Sequence, residues 1–146
     1  MKGFTLIEVV VVIVLLAVIG AVVTPTVLRP DEGDLMASAR RVMSVIRSAR
    51  MAGLRQGAPV VLTVDAANGR YMTELERDGT MEHLDGGQLH LSPNVTVLGD
   101  RQIVKFAFDG TGSAFAESLI VAGNGGAMLV GVEGWTGEPF LRTTRR

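Results

Sequence analysis

Between Val9 and Leu28 the chain carries no charged side chain, and Glu8 stands immediately before that run. A helix needs roughly 20 mostly apolar residues to cross a hydrocarbon layer ~30 Å thick. Valine and isoleucine favour strands in water, but strands rarely exceed ~10 residues, and a bilayer forces the backbone to satisfy its own hydrogen bonds. Length therefore predicts a membrane helix. Lys2 and the amino terminus lie on one side of it, and Arg29 with Asp31, Glu32 and Asp34 on the other, which places the N-terminus in the cytoplasm. The competing reading is a cleavable secretory signal with a cut near Gly20 or Ala21. Val18 and Ile19 stand where such a site wants small side chains, and an acid at Glu8 would interrupt the apolar region.

The rest of the chain suffices for one globular domain with its own core, since the whole has 146 residues. A net charge of −1 provides no general attraction to nucleic acid or to an anionic surface. Without cysteine the chain has no disulfide, thiolate metal site or cysteine nucleophile.

From Asp31 to Pro59, Leu35, Ala39, Val42, Met43, Ile46, Ala49 and Leu54 recur at helical spacing. This predicts an amphipathic helix over 29–57, with Asp34 as N-cap and Gly57 as stop. Arg40, Arg41, Arg47, Arg50 and Arg55 read as its solvated face, or as a partner surface. Beyond Pro59 the period shifts toward two. Asn68-Gly69 and Asp78-Gly79 are hairpin signals, because both turn positions accept positive φ. Strands are expected at 88–91, 95–98, 103–108, 118–122, 127–132 and 139–143, separated by glycine-rich turns. A helix laid on an antiparallel sheet is an α+β architecture.

"GFTLIE" followed by the apolar run resembles the prepilin leader shared by type IV pilins and type II secretion pseudopilins. The resemblance covers residues 1–30 and implies a type IV pilin-like fold. It implies that a prepilin peptidase cuts after Gly3 and that Phe4 becomes the methylated amino terminus. It further implies that 1–3 are the leader, 4–28 the transmembrane and assembly helix, 29–57 the amphipathic helix and 58–146 a β-rich periplasmic domain. The subunit would be held in the bacterial inner membrane by a single pass and would join a filament of other pseudopilins. Pro25 matches a proline that commonly kinks this helix, and a bend is expected there because proline removes a donor and crowds the preceding turn.

A cleaved chain would expose an ammonium at Phe4, with Glu8 about one helical turn away. A carboxylate among apolar groups seeks a cation, and a neighbouring subunit's amino terminus can supply it, so Phe4 and Glu8 are the candidate assembly contact. The alternative is a glutamate solvated among headgroups or paired within its own chain.

"SARMAGLRQGAPVVLTVD" and "FAFDGTG" resemble the H-type minor pseudopilins of type II secretion and the related FimT-like minor pilins. Major type IV pilins typically carry a C-terminal disulfide that this chain cannot form, which favours secretion. The function so implied is structural, with no cofactor and no catalysis. The alternative is a DNA-uptake minor pilin binding nucleic acid through Arg142, Arg145 and Arg146, a small cluster for phosphate binding.

No catalytic constellation is found. His83 and His90 read as surface residues rather than metal ligands, and "GNGG" and "GTG" lack the remaining residues of nucleotide loops and read as turns. Trp135, the only tryptophan, reads as core packing, with an exposed contact residue as the alternative.

Overall fold

The computed structural model describes residues 7–15 and 30–144, without the side chains of 30 and 31. Two compact units are present, Met1–Pro30 and Asp31–Arg146. In the first, residues 7–15 form a helix (α1) on which every side chain is exposed, from Ile7 to Leu15. Among the described residues no helix is long and apolar enough to cross a membrane. Gly3, Phe4, Pro25 and much of the expected 4–28 span lie outside the described residues, as do Arg145 and Arg146.

Helix α2 runs Pro30–Gln56. Its apolar stripe is buried as the spacing predicts, with Leu35, Ala39, Val42, Ile46 and Ala49 all in the core. Asp34 is not the N-cap: it lies within the helix, because the helical backbone already includes Pro30 to Gly33. At the other end Arg55 sits in the last turn, where a cation suits the helix dipole, and Gly57 stands just past it at φ 61°.

Two antiparallel sheets complete the unit. One has the order β3-β2-β1-β5-β6, built from Val60–Asp65 (β1), Arg70–Arg77 (β2), Thr80–Gln88 (β3), Ile103–Phe108 (β5) and Ala114–Ala116 (β6). The other has the order β4-β7-β8-β9, from Val95–Gly99, Leu119–Gly123, Gly126–Val132 and Pro139–Thr144. Alternation along the strands sends one face inward: Val60, Leu62 and Val64 stand opposite Phe108, Phe106 and Val104. Together with Leu119, Val121 and Val130 of the second sheet and the α2 stripe, they form one core.

The hairpins differ from one another. Arg77 pairs with Thr80 across Asp78-Gly79, both at positive φ, which is the tight two-residue turn that the dipeptide predicts. Asp65 instead pairs with Arg70, so Asn68-Gly69 closes a four-residue loop in which only Gly69 has positive φ. Asp65 builds that loop: its carboxylate accepts from the N–H groups of Ala67 and Asn68 and, at 2.7 Å, from Asn68 Nδ2.

The expected strand at 88–91 is also corrected, since β3 ends at Gln88. Beyond Gln88 the chain crosses to α2 instead of extending the sheet. Ser92 N–H donates to Ser38 Oγ at 3.1 Å, Arg41 donates to the His90 carbonyl, and Leu89 is buried. The short strand β6 was not expected.

Candidate functional site

Three chain segments converge at the C-terminal end of α2. The first is the helix end itself, through Arg50, Leu54 and Gly57. The second is the β5–β6 turn, where Asp109 organises the backbone. Its carboxylate accepts from Thr111 Oγ1 at 2.8 Å, Ser113 N at 2.9 Å and Thr111 N at 3.0 Å. These bonds, the Thr111 hydroxyl foremost, hold the Asp109 carboxyl below its ordinary range. "DGTG" is thus a turn.

The third segment is the β8–β9 connection. Glu133 N–H donates to the Glu138 carbonyl at 3.0 Å and Gly137 N–H to the Glu133 carbonyl at 2.7 Å, closing a compact loop. Glu138 N–H donates to Thr136 Oγ1.

Close backbone approach joins the three. A Cβ on Gly110 would lie 2.5 Å from the carbonyl carbon of Gly57, so only glycine lets the turn rest on the helix end. A Cβ on Gly137 would collide with the Gly112 carbonyl. Ala114 N–H donates to the Gly134 carbonyl at 2.8 Å, and Ser113 Oγ donates to the Trp135 carbonyl at 3.2 Å. Arg50 reaches Glu138 Oε2 at 3.0 Å and Arg47 reaches Oε1 at 3.3 Å.

This fixed frame carries two aromatic side chains that it does not bury. Trp135 is 90% exposed and Phe115 is 88% exposed. The expectation that Trp135 packs in the core is therefore overturned, and the alternative of an exposed residue is the one the fold realises. The helix arginines are corrected too. Arg47 and Arg50 clamp the β8–β9 loop and Arg41 holds the His90 carbonyl, so the face is only partly solvated. Phe115 and Glu138 were missed from sequence. The available signal was the glycine that closes "GWTG", Gly137, which sits at φ 63° and against the Gly112 carbonyl where a side chain could not fit.

The other candidates are dispersed. Glu8 lies on α1 and is exposed. Arg142 lies on β9 with its guanidinium 4.8 Å from the Phe140 ring centroid. Across the second sheet Arg142, Leu129, Ile120 and Leu98 stand in one row. His83 and His90 are both exposed and sit on different segments, β3 and the β3–β4 connection. Among the described residues no group of three or more His, Asp or Glu side chains is placed to hold a metal ion.

Residues 1–24 match the prokaryotic N-terminal methylation motif. Among the curated proteins no sequence matches this one. Two crystal structures of the type IV minor pilin FimU from Pseudomonas aeruginosa are similar in fold. One superposes with a TM-score of 0.60 at 10% identity, covering 78% of this chain and 90% of that one. The other gives 0.57 at 12% identity, covering 73% and 91%. At such identity the likeness concerns the fold: a helix on antiparallel sheets, as in type IV pilins.

Proposed function

We propose that this chain, which carries a prepilin-type methylation motif and a type IV pilin-like fold, is a structural subunit of a pilus-like filament. We assign it to the minor pseudopilins of type II secretion. The single observation that carries the reading is the conjunction of the leader match over residues 1–24 with the α2-on-two-sheets fold, since neither implies a filament alone. The absence of cysteine and the resemblance of "SARMAGLRQGAP" and "FAFDGTG" to the H-type class support the secretion assignment. In space those two stretches meet, at Gly57 against Gly110.

On this reading a prepilin peptidase cuts after Gly3 and Phe4 becomes the methylated terminus. The apolar helix anchors the subunit in the inner membrane, with the β-rich unit on the periplasmic side. Glu8 then sets axial register by pairing with the ammonium of a neighbour, an exchange that a low-dielectric filament core makes strong only if both charges are matched. The subunit contributes contacts and shape.

The test is the mass of the mature chain from cells with and without the peptidase, joined to the Glu8→Val variant. The expected product begins at methylated Phe4. Glu8→Val should be inserted and cleaved normally but cross-link into filaments far less. A mature chain beginning near Ala21 would overturn the reading. Periplasmic accumulation of secreted proteins on deletion supports the secretion assignment; loss of surface pili with normal secretion replaces it with the type IV pilus.

A further inference from the structure

A cavity of about 210 Å³ lies between α2 and the first sheet. The helix brings Ser44, Ser48 and Ala52 to it, small side chains at helical spacing, and β2 and β3 bring Tyr71, Thr73 and Asp85. The strand side depends on a β-bulge. Thr73 stands opposite Asp85 and Glu74 opposite His83, so Leu84 is the extra residue. Glu82 stands opposite the buried Leu75, and strict alternation from there would send Asp85 to the outer face. The added residue turns Asp85 toward the helix instead, where Leu84 lines the cavity beside it.

A gap beside small helix residues is ordinary packing, but Thr73 is not. It is 5% exposed, it lines the cavity, and its hydroxyl makes no hydrogen bond with any described residue. A buried hydroxyl without a partner costs stability, so its complement is a group that enters the cavity from outside.

The other polar groups define that complement. Ser44 Oγ donates its proton to the Arg41 carbonyl at 3.0 Å, and the Tyr71 hydroxyl donates to Asp85 Oδ2 at 3.4 Å. Asp85 Oδ1 accepts from the Gly86 N–H at 2.8 Å. Each of these oxygens retains a lone pair for a further donor. Burial, and then the Asp85 charge, push the Tyr71 phenol above its usual range and keep it neutral. No cationic side chain lines the cavity, and Asp85 has no ion pair among the described residues. An anion is therefore excluded, and a donor-rich cation fits. The Tyr71 ring rests on Gly87, where a Cβ would stand 3.5 Å from Cε1, and aromatic rings attract cations. The volume is below the ~300–1,000 Å³ of ordinary small-molecule pockets, which limits the occupant to a short chain.

We propose that this cavity binds a primary ammonium on a short alkyl stem, with Asp85, Thr73 and Ser48 accepting its N–H donors and Ala52 and Leu84 packing its stem. An ammonium has three donors and no acceptor, which matches an acceptor-rich lining that holds one carboxylate. A lysine side chain of another protein and a free alkylamine share this chemistry. The inference goes beyond the filament reading and stands or falls on the cavity alone.

Tyr71 is the only tyrosine, so ring-labelled tyrosine gives one set of NMR signals, at the cavity itself. The full-length chain in detergent micelles is titrated with n-butylammonium, with Nα-acetyl-lysine N-methylamide and with n-butanol. An ammonium probe should shift the Tyr71 signals saturably, and n-butanol, of equal length but neutral, should bind about tenfold more weakly or worse. Binding of butylammonium but not of the lysine derivative assigns the site to a free amine; binding of the lysine derivative assigns it to a protein lysine. Asp85→Asn should weaken binding by about tenfold or more. Thr73→Val keeps the shape and removes only the hydroxyl, so it should weaken binding severalfold while the melting temperature stays level or rises. The proposal is overturned by the lack of any saturable shift, by n-butanol binding as well as the ammonium probes, or by full binding to Asp85→Asn. A lower melting temperature for Thr73→Val overturns it too, since the hydroxyl would then already serve the fold.

Discussion

Arg50 Nη1 lies 3.0 Å from Glu138 Oε2 and joins two segments 88 positions apart in sequence, the amphipathic helix and the loop that carries Trp135. Arg47 takes the other oxygen of the same carboxylate at 3.3 Å. One acid thereby bridges adjacent turns of α2. The loop that carries the exposed indole is held from two sides, by these ion pairs and by the bonds that Ser113 Oγ and Ala114 N–H donate to it.

Glu138→Gln removes the charge and leaves the shape. Exposed ion pairs contribute about 0.2–1 kcal/mol, and the Arg50 side chain, 20% exposed, is the better screened from water of the two. The expected loss of stability is about 1 kcal/mol, read by urea unfolding. The larger effect should be on motion: Trp135 fluorescence anisotropy should fall, because the loop is tethered on one side only. An unchanged anisotropy would mean that backbone contacts suffice.

Gly137→Ala and Gly69→Ala form a matched pair. Their φ values are 63° and 60°, so both variants carry the same backbone strain, about 1–2 kcal/mol. They differ in surroundings. Gly69 has nothing within 4 Å of a built Cβ, while at Gly137 the new methyl would strike the Gly112 carbonyl. Gly137→Ala should therefore be clearly the more destabilising by thermal melting. Equal losses would show that the two loops are free to move apart.

Helix α2 was legible because its stripe of Leu35, Ala39, Val42, Ile46 and Ala49 repeats on one face, a signal held within a single element. Asp78-Gly79 was legible for a similar reason, since both residues of a two-residue turn need the same left-handed backbone. The division into two sheets was not. Pairing of β1 with β5 rather than with β4 depends on contacts between strands far apart in sequence, and that information is spread over the chain. Strand β6 is three residues long, too short for alternation to register. Strand β3 is exposed along nearly its whole length, so burial imposes no pattern on its composition. At the candidate site, aromatic character suggested burial of Trp135, and its exposure follows from the loop's place in the fold, which segments distant in sequence fix through Gly137 against Gly112 and Gly110 against Gly57.

Ile46 is fully buried at 0% exposure and Met51, further along α2, is 37% exposed. Truncating a buried isoleucine removes its transfer energy and leaves a cavity between α2 and the sheets, so Ile46→Ala should cost about 2–5 kcal/mol. Met51→Ala should cost about 0.5 kcal/mol or less. Denaturant midpoints measure both. A comparable cost at Met51 would indicate that this face is covered in solution by another molecule.

Acid should weaken the β5–β6 turn in a way that Asp109 alone explains. Its carboxyl is held below the ordinary value of 3.8 by the Thr111 hydroxyl and by backbone N–H groups. A group with a depressed folded pKa stabilises the native state above its unfolded pKa and loses that contribution as pH falls through the folded one. The melting temperature of the parent chain should thus exceed that of Asp109→Asn at pH 7. The gap should be constant down to about 3.8 and close below it. Asp65, depressed in the same direction by Asn68, contributes equally to parent and variant and cancels in the difference. Thr111→Val removes the largest of the causes while leaving the carboxylate, so its gap to the parent should be smaller and close over the same window. A gap that stayed open at pH 2 would mean that Asp109 acts through packing rather than through charge.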